Sequence, residues 1–238
     1  VRRAVKSGMF HKIEIGSVIA VPVLNVFRFI NFSRELPDGK DVNRSFPGSS
    51  RGSLASRVAN ALSKHILPHV DFGVDFHTGG KSVYNYPQIR VAKNDEESMN
   101  LAMDFSPPYI VKSNLIAKSL RKECSKRSIP MLVYEGGESL RLDEFSIQEG
   151  LRGLNRLMQS RGMIQGKVSK QTNVIFNKST WVRAGRAGLF QSLVHAGDQI
   201  EEGARLGKIT DPYGNKEIDV IARKAGFIYG INNIPVVN

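Results

Sequence analysis

The chain has 238 residues, 41% of them hydrophobic and 24% charged, with a formal net charge of +12. This make-up excludes a disordered or fibrous protein and allows a substantial core with room for a smaller second domain. No apolar run approaches the roughly 20 residues needed to span a bilayer, and the stretch VRRAVKSGMFHKIEIG lacks the apolar centre of a secretory signal, so no membrane association is expected. The one cysteine, Cys124, excludes an intramolecular disulfide and points to a reducing cytoplasm. Within RKECSKRS it reads as an exposed helix end rather than a catalytic thiol. Positive charge is scattered along the chain without a basic run interleaved with aromatics, so no nucleic-acid binding is expected.

In chain order, IEIGSVIAVPVLN (13–25) is a near-continuous apolar run that predicts a strand buried on both faces of a parallel-rich sheet. Residues 26–53, rich in Gly, Pro, Asp, Asn and Ser, form a connection longer than loops usually are, which marks them as a functional loop. SLASRVANALSKHILPHV places Leu54, Val58, Ala61, Leu62 and Ile66 on one helical face, with Ser53 as cap and Pro68 as stop. A short strand, FGVDF, then delivers His77. Residues 95–105 predict a helix with an acidic first turn, YIVK a strand, 114–127 a helix, IPMLVYE a buried strand, and DEFSIQEGLRGLNRLMQSRGM a helix with Ile147, Leu151, Leu154 and Leu157 spaced three or four apart. Strands alternating with helices predict an α/β fold. From Asn173 on, short β segments separated by RAG, HAGD, EEGA, DPYGN and KAG predict an all-β unit. The expected division is residues 1–165 and 173–238, joined by a polar linker.

Ligands of open α/β sheets sit beyond the carboxyl ends of the strands. His77 ends VDFGVDFH and Glu135 stands in IPMLVYEGGE, each near two glycines that let the chain turn sharply, so the two are expected to share a crevice. A histidine there suits a zinc ligand, and a carboxylate outside the metal's shell suits a proton acceptor from water. A hydrogen-bonded loop histidine and a solvated turn glutamate fit the same letters. Asp75 could orient the site, although strand alternation is expected to aim it away from His77's side. Arg34, Asn43 and Arg44 lie in FSRELPDGKDVNRSFPGSS, where a guanidinium fork and an amide suit a substrate carboxylate and a surface ion pair equally well.

Taken together, the strand ending PVLN, then R-x-x-P-x-G-x-D-V-N-R-x-F-P-G, then D-F-H-T-G-G, then V-Y-E-G-G-E, in that order, resemble the succinylglutamate desuccinylase/aspartoacylase family, relatives of the zinc carboxypeptidases. The likeness extends through VHAGDQIEEGARLGKI to the C-terminal tail. It implies an α/β/α sandwich with a mixed, parallel-rich sheet, followed by a smaller all-β, barrel-like domain similar to biotinyl and lipoyl barrels. It also implies Zn2+ as cofactor with His77 as a ligand and Glu135 as the general base that later protonates the leaving nitrogen. Arg44 and Asn43 would grip a substrate carboxylate and Arg34 would polarise the scissile carbonyl. The family's upstream His-x-x-Glu pair, which supplies its other two zinc ligands, is not found. His11 and Glu14 have the spacing but precede IGSVIAVPVLN directly and read as an accidental match, so the N-terminal strand and metal-binding turn are expected to be missing.

The tail invites a carrier reading, but no Met lies in residues 165–238 to flank a modified lysine, Lys208 falls within a strand, and His195 reads as a hairpin residue. It is taken as a structural or oligomerisation unit, consistent with a homo-oligomer. The expected function is a cytoplasmic zinc-dependent deacylase of small anionic N-acyl amino acids. The alternatives are a zinc carboxypeptidase on short peptides and a non-catalytic anion-binding relative.

Overall fold

The computed structural model describes residues 1–31 and 34–238, so Phe32 and Ser33 of the long loop lie outside the described residues. The helices are α1 (Arg2–Lys6), α2 (Val26–Asn31), α3 (Leu54–His65), α4 (Glu96–Phe105), α5 (Leu120–Lys126) and α6 (Glu144–Ser160). Short polar side chains start four of them. Ser53, Asp95, Ser119 and Asp143 accept hydrogen bonds from the amides of Ser56, Ser98, Lys122 and Ser146, giving partners to first-turn amides that the helix itself leaves open.

The strands are β1 (Gly73–Gly79), β2 (Val83–Ala92), β3 (Tyr109–Ser113), β4 (Met131–Glu138), β5 (Val174–Phe176), β6 (Gly188–Ser192), β7 (Gln199–Ile200), β8 (Arg205–Thr210), β9 (Glu217–Ile221), β10 (Gly226–Phe227), β11 (Gly230–Asn232) and β12 (Val236–Val237). The main sheet runs β1-β4-β2-β3-β5, with β11 also paired to β2. It is mixed: β1 is parallel to β4, β2 to β3 and β3 to β5, while β2 runs antiparallel to both β4 and β11. The remaining strands form a four-stranded antiparallel sheet, β12-β6-β8-β9, and a two-stranded one, β10-β7.

Period-two alternation separates the two faces of the main sheet. Val74, Phe76, Ile89, Leu132 and Tyr134 point into a core with Leu101, Ala102 and Phe105 of α4 and Leu157 of α6. Residues of the other parity face the side of α3 and α5, where Ala55, Ala59, Leu120, Cys124 and Met131 pack with Leu36, Val42 and Phe46 of the loop. Asp75, His77, Val133 and Glu135 lie on that second face and are only partly buried.

Two strands from beyond residue 173 complete the main sheet. β5 extends it beside β3, and Gly230 of β11 pairs with Asn85. Aromatic rings reinforce the join: Tyr109 meets Phe176 at 5.2 Å and Phe227 at 5.7 Å between centroids, and its hydroxyl donates to the Gly197 carbonyl at 3.0 Å.

Several expectations need correction. Residues 13–25 form no strand, and their apolar side chains are largely exposed, Ile15 at 69% and Ile19 at 48%. β-branched composition favours an extended backbone, but a strand exists only where a neighbour takes up its hydrogen bonds; here the amides of Glu14 and Ile15 reach the Met163 carbonyl instead. The stretch 26–53 opens with α2 and contains a 3-10 turn, Val42–Arg44. The inner stripe of α3 is Ala55, Ala59 and Ser63 flanked by Leu54, Val58 and Leu62, with Ala61 exposed. The helix expected over 114–127 starts only at Leu120, because Ser119 caps it there and Lys118 adopts φ +57° just before. β2 was not anticipated, since Asn85, Pro87 and Gln88 interrupt its apolar pattern. Cys124 lies on the inner face of α5 and is fully buried, not at an exposed helix end.

Gly153 of α6 packs directly on the fully buried Phe105 ring, and a methyl group there would overlap it. Alanine gains about 1 kcal/mol of helix propensity over glycine, but displacing a ring locked in a dense core costs about 1–3 kcal/mol. Gly153→Ala is therefore expected to lower Tm by several degrees in calorimetry; an unchanged or raised Tm would show that the ring yields freely.

Candidate active site

The histidine of VDFHTGG is positioned by strand register. β1 and β4 pair in parallel with His77 opposite Glu135, so both side chains leave the sheet on one face, side by side. The glycines after them serve the turn. A Cβ on Gly79 would overlap the Val83 carbonyl where β1 gives way to β2, and Gly137 holds φ +73°. The β1–β4 register shifts between His77 and Gly79, so regular pairing ends where His77 and Glu135 stand.

Asp75 corrects an expectation. Its Oδ2 lies 2.7 Å from His77 Nε2, because residues two apart on a strand share a face and do not oppose one another. The contact orients the imidazole and favours the tautomer protonated on Nε2.

Glu135 is held from β2. Asn85 Nδ2 donates to Oε2 at 3.1 Å, and Arg90 Nη1 stands 3.7 Å from Oε1. Asn85 and Arg90 have opposite parity and would point to opposite faces of a regular strand. The β2–β4 register shift between Asn85 and Gln88 brings both to Glu135's side. Sequence reasoning missed these two residues together with β2; the signal available was a charged residue between Ile89 and Val91 in a β-branched run.

α5 packs beside β4 and carries Arg121. Arg121 Nη2 donates to Ser113 Oγ at 2.9 Å and to the Asn114 carbonyl at 3.0 Å. Burial lowers its pKa, the Arg90 charge acts in the same direction, and Glu135 and Asp95 oppose both.

The loop residues divide. Asn43 Oδ1 accepts from the Leu120 amide at 2.8 Å, hanging the loop on the start of α5 next to Arg121. Arg44 is exposed and donates to the Asn43 carbonyl at 2.6 Å. Arg34 is exposed with both Nε and Nη2 on Asp41 Oδ2, at 2.9 and 2.8 Å, and no contact described ties it to Glu135. His11 is exposed in a 3-10 turn, while Glu14 accepts from Gln165 Nε2 at 2.8 Å. In the tail, Lys208 lies in β8 with Nζ 3.0 Å from Glu217 Oε2, and His195 is exposed. Two surface concavities of about 460 and 320 Å³ lie around Asp71 and Ser128, at the opposite end of β1 from His77.

A catalytic zinc takes three protein ligands and a water. Among the described residues no group of three or more His, Cys, Asp or Glu side chains could hold a metal ion. His77, oriented by Asp75, fits one ligand; the described donors do not fit a whole zinc site.

Against known proteins, the chain matches the family model of the succinylglutamate desuccinylase/aspartoacylase catalytic domain over residues 6–161. It belongs to that family. It is 26% identical over 211 residues to an N-alpha-acetyl-L-2,4-diaminobutyric acid deacetylase of Halomonas elongata, covering 82% of this chain and 61% of that protein. The chain thus spans less than two thirds of the length of this curated relative. Its fold is shared with solved structures. A product-bound ectoine utilization protein from Ruegeria pomeroyi superposes with TM-score 0.81 at 24% identity, over 92% of this chain and 70% of that one. An aspartoacylase family protein from Mesorhizobium loti superposes with TM-score 0.85 at 22% identity, over 100% and 76%.

Burial pushes the Cys124 thiol up to about 12, with the Asp75 charge acting in the same direction. A raised folded pKa means that the stabilisation is present below the unfolded value, about 8.5, and is lost as pH rises toward the folded one. From pH 8 to 9.5 the protein is expected to lose about 1 kcal/mol more unfolding free energy than Cys124→Ala does. Equal slopes in denaturant titrations at the two pH values would show that the thiol ionises as readily folded as unfolded.

Proposed function

We propose that this chain carries the catalytic face of a deacylase that hydrolyses the amide of a small anionic N-acyl amino acid. The observation that carries the reading is the in-register placement of His77 beside Glu135 on a partly open sheet face, with Asn85 and Arg90 gathered on the Glu135 carboxylate. Family membership and the named activity of the Halomonas relative support the same reading.

Glu135 takes a proton from the attacking water as its oxygen bonds the carbonyl carbon, and returns that proton to the nitrogen as the carbon–nitrogen bond breaks, so that the amine leaves neutral rather than as an anion. Asn85 fixes the carboxylate's rotation by holding Oε2, which leaves Oε1 for the transfer. His77 is proposed as one ligand of the zinc ion that the family likeness implies; zinc would polarise the amide carbonyl and acidify water. Arg44, on the exposed rim, is proposed to meet the substrate carboxylate, and Asn43 to hold the loop that carries it. Arg34 is proposed to reach the scissile carbonyl after leaving Asp41. For the C-terminal strands we retain a barrel-like unit that walls the crevice, supported by the pairing of Gly230 with Asn85. A cytoplasmic setting is proposed from the single cysteine. Among the described residues no helix is long and apolar enough to cross a membrane.

The test is amine release from N-acetyl and N-succinyl amino acids. Glu135→Gln, which keeps shape and hydrogen bonding, is expected to lower kcat by about 10²–10⁴-fold with Tm unchanged; equal turnover by variant and parent would remove Glu135 from the chemistry. Separately, elemental analysis after zinc incubation and desalting should find less zinc in His77→Ala than in the parent. Equal zinc in both would exclude His77 as a ligand.

A further inference from the structure

The side chain that holds Glu135 is itself flanked by the C-terminal tail. Asn85, buried in β2, stands opposite Gly137 of β4 on one side and opposite Gly230 of β11 on the other. Its Nδ2 donates to Glu135 Oε2 at 3.1 Å, two residues back along β4, which is the diagonal reach across a strand pair. Its Oδ1 points at β11, where a Cβ on Gly230 would lie 3.3 Å away, closer than such contacts ordinarily come. The φ of Gly230 falls outside the left-handed region, so its backbone would accept any residue. What the position lacks is room beside Asn85.

β11 has little freedom to yield. Just before it, the Tyr229 carbonyl accepts from the Tyr86 amide at 2.9 Å, and just after it the Asn233 amide donates to the Ser82 carbonyl at 2.8 Å. Asn233 Nδ2 also donates to Oε2 of the buried Glu138, at the end of β4, at 2.8 Å. Phe227 and Tyr229 meet the Phe176 ring at 5.6 and 6.0 Å between centroids. A strand fixed at both ends passes the bulk of an added methyl group to its neighbour rather than absorbing it. That neighbour is the Asn85 amide, which can turn about its side-chain torsions. Once turned, it would release Glu135 toward Arg90, whose Nη1 stands 3.7 Å from Oε1 and whose Nε is buried without a partner among the described residues. Closure onto Arg90 would occupy Oε1, the oxygen left for proton transfer.

We propose that Gly230 is a positioning residue: by leaving space for the Asn85 amide, β11 sets the rotation of the Glu135 carboxylate and keeps Oε1 from closing onto Arg90. The C-terminal strands thereby take part in the reaction through a contact with β2 and not only by walling the crevice. This inference rests on the deacylase reading and deepens it, because it assigns a role to a residue that touches neither substrate nor Glu135.

In the amine-release assay, Gly230→Ala and Gly230→Val are expected to lower kcat by about 3- to 30-fold, the valine more, while KM stays within about twofold of the parent's. Asn85→Ala should lower kcat by about 10- to 100-fold, and adding Gly230→Ala to it should cost nothing further, since the glycine acts through the amide. Gly226→Ala in β10, where an added Cβ meets nothing within 4 Å, is the control and should turn over like the parent. A crystal structure of Gly230→Ala gives a readout independent of turnover: Asn85 Nδ2 is expected out of hydrogen-bond range of Glu135 Oε2. Persistence of that contact, the parent's kcat in both Gly230 variants, or an undiminished cost of Gly230→Ala on top of Asn85→Ala would each overturn the positioning role while the deacylase reading stands. A parent that releases no amine would overturn the deacylase reading, and the crystal structure would then decide by itself whether Gly230 sets Asn85.

Discussion

Everything proposed for the site depends on the parallel register of β1 with β4. With His77 opposite Glu135, an imidazole and a carboxylate emerge from adjacent strands on the same face. A slip of one residue would turn Glu135 toward α4 and α6 and bring Tyr134 to the site face, because side chains alternate along a strand. The apolar residues on the opposite face make that slip costly. Leu132 and Tyr134 are almost wholly buried against Phe105 and Leu157, so the packing of one face enforces the chemistry of the other.

The two faces are built from different interactions. On the α4–α6 side, closely packed hydrocarbon dominates. On the α3–α5 side, an apolar cluster runs up to Met131 and Cys124, after which the same strands carry Asp75, His77, Glu135, Gln88 and Arg90. Polar groups under a helix are expensive unless paired. Asp75 with His77 and Asn85 with Glu135 are paired; the guanidinium side is incompletely so. That imbalance sets the guanidinium side apart from the paired acids beside it.

Legibility in the sequence followed the range of the interactions. Helices α4 and α6 and strands β1, β3 and β4 were readable because period, caps and composition are local properties. The adjacency of His77 and Glu135 was readable because each ends an apolar run next to glycines. Residues 13–25 misled for the complementary reason: apolar content announces a strand, whereas pairing depends on a neighbour elsewhere in the chain. β2 was hidden by its own polar residues, since Asn85, Gln88 and Arg90 interrupt the apolar pattern that would have revealed it. The Asp75–His77 contact was available from strand geometry alone.

The long loop shows how distant segments come to act together. Asn43 and Arg44 are adjacent in sequence but face different tasks, the first anchored to the Leu120 amide and the second exposed. The Phe46 amide also reaches the Lys118 carbonyl, and Val42 and Phe46 pack in the same cluster as Leu120 and Cys124. The loop and the start of α5 are thus one packed unit, and Arg121 follows immediately. The segment that carries exposed Arg44 is thereby tied to the start of the helix that carries buried Arg121. Sequence separation therefore gives no measure of independence here: through Asn43 and the Leu120 amide, the loop and the start of α5 bear on one another.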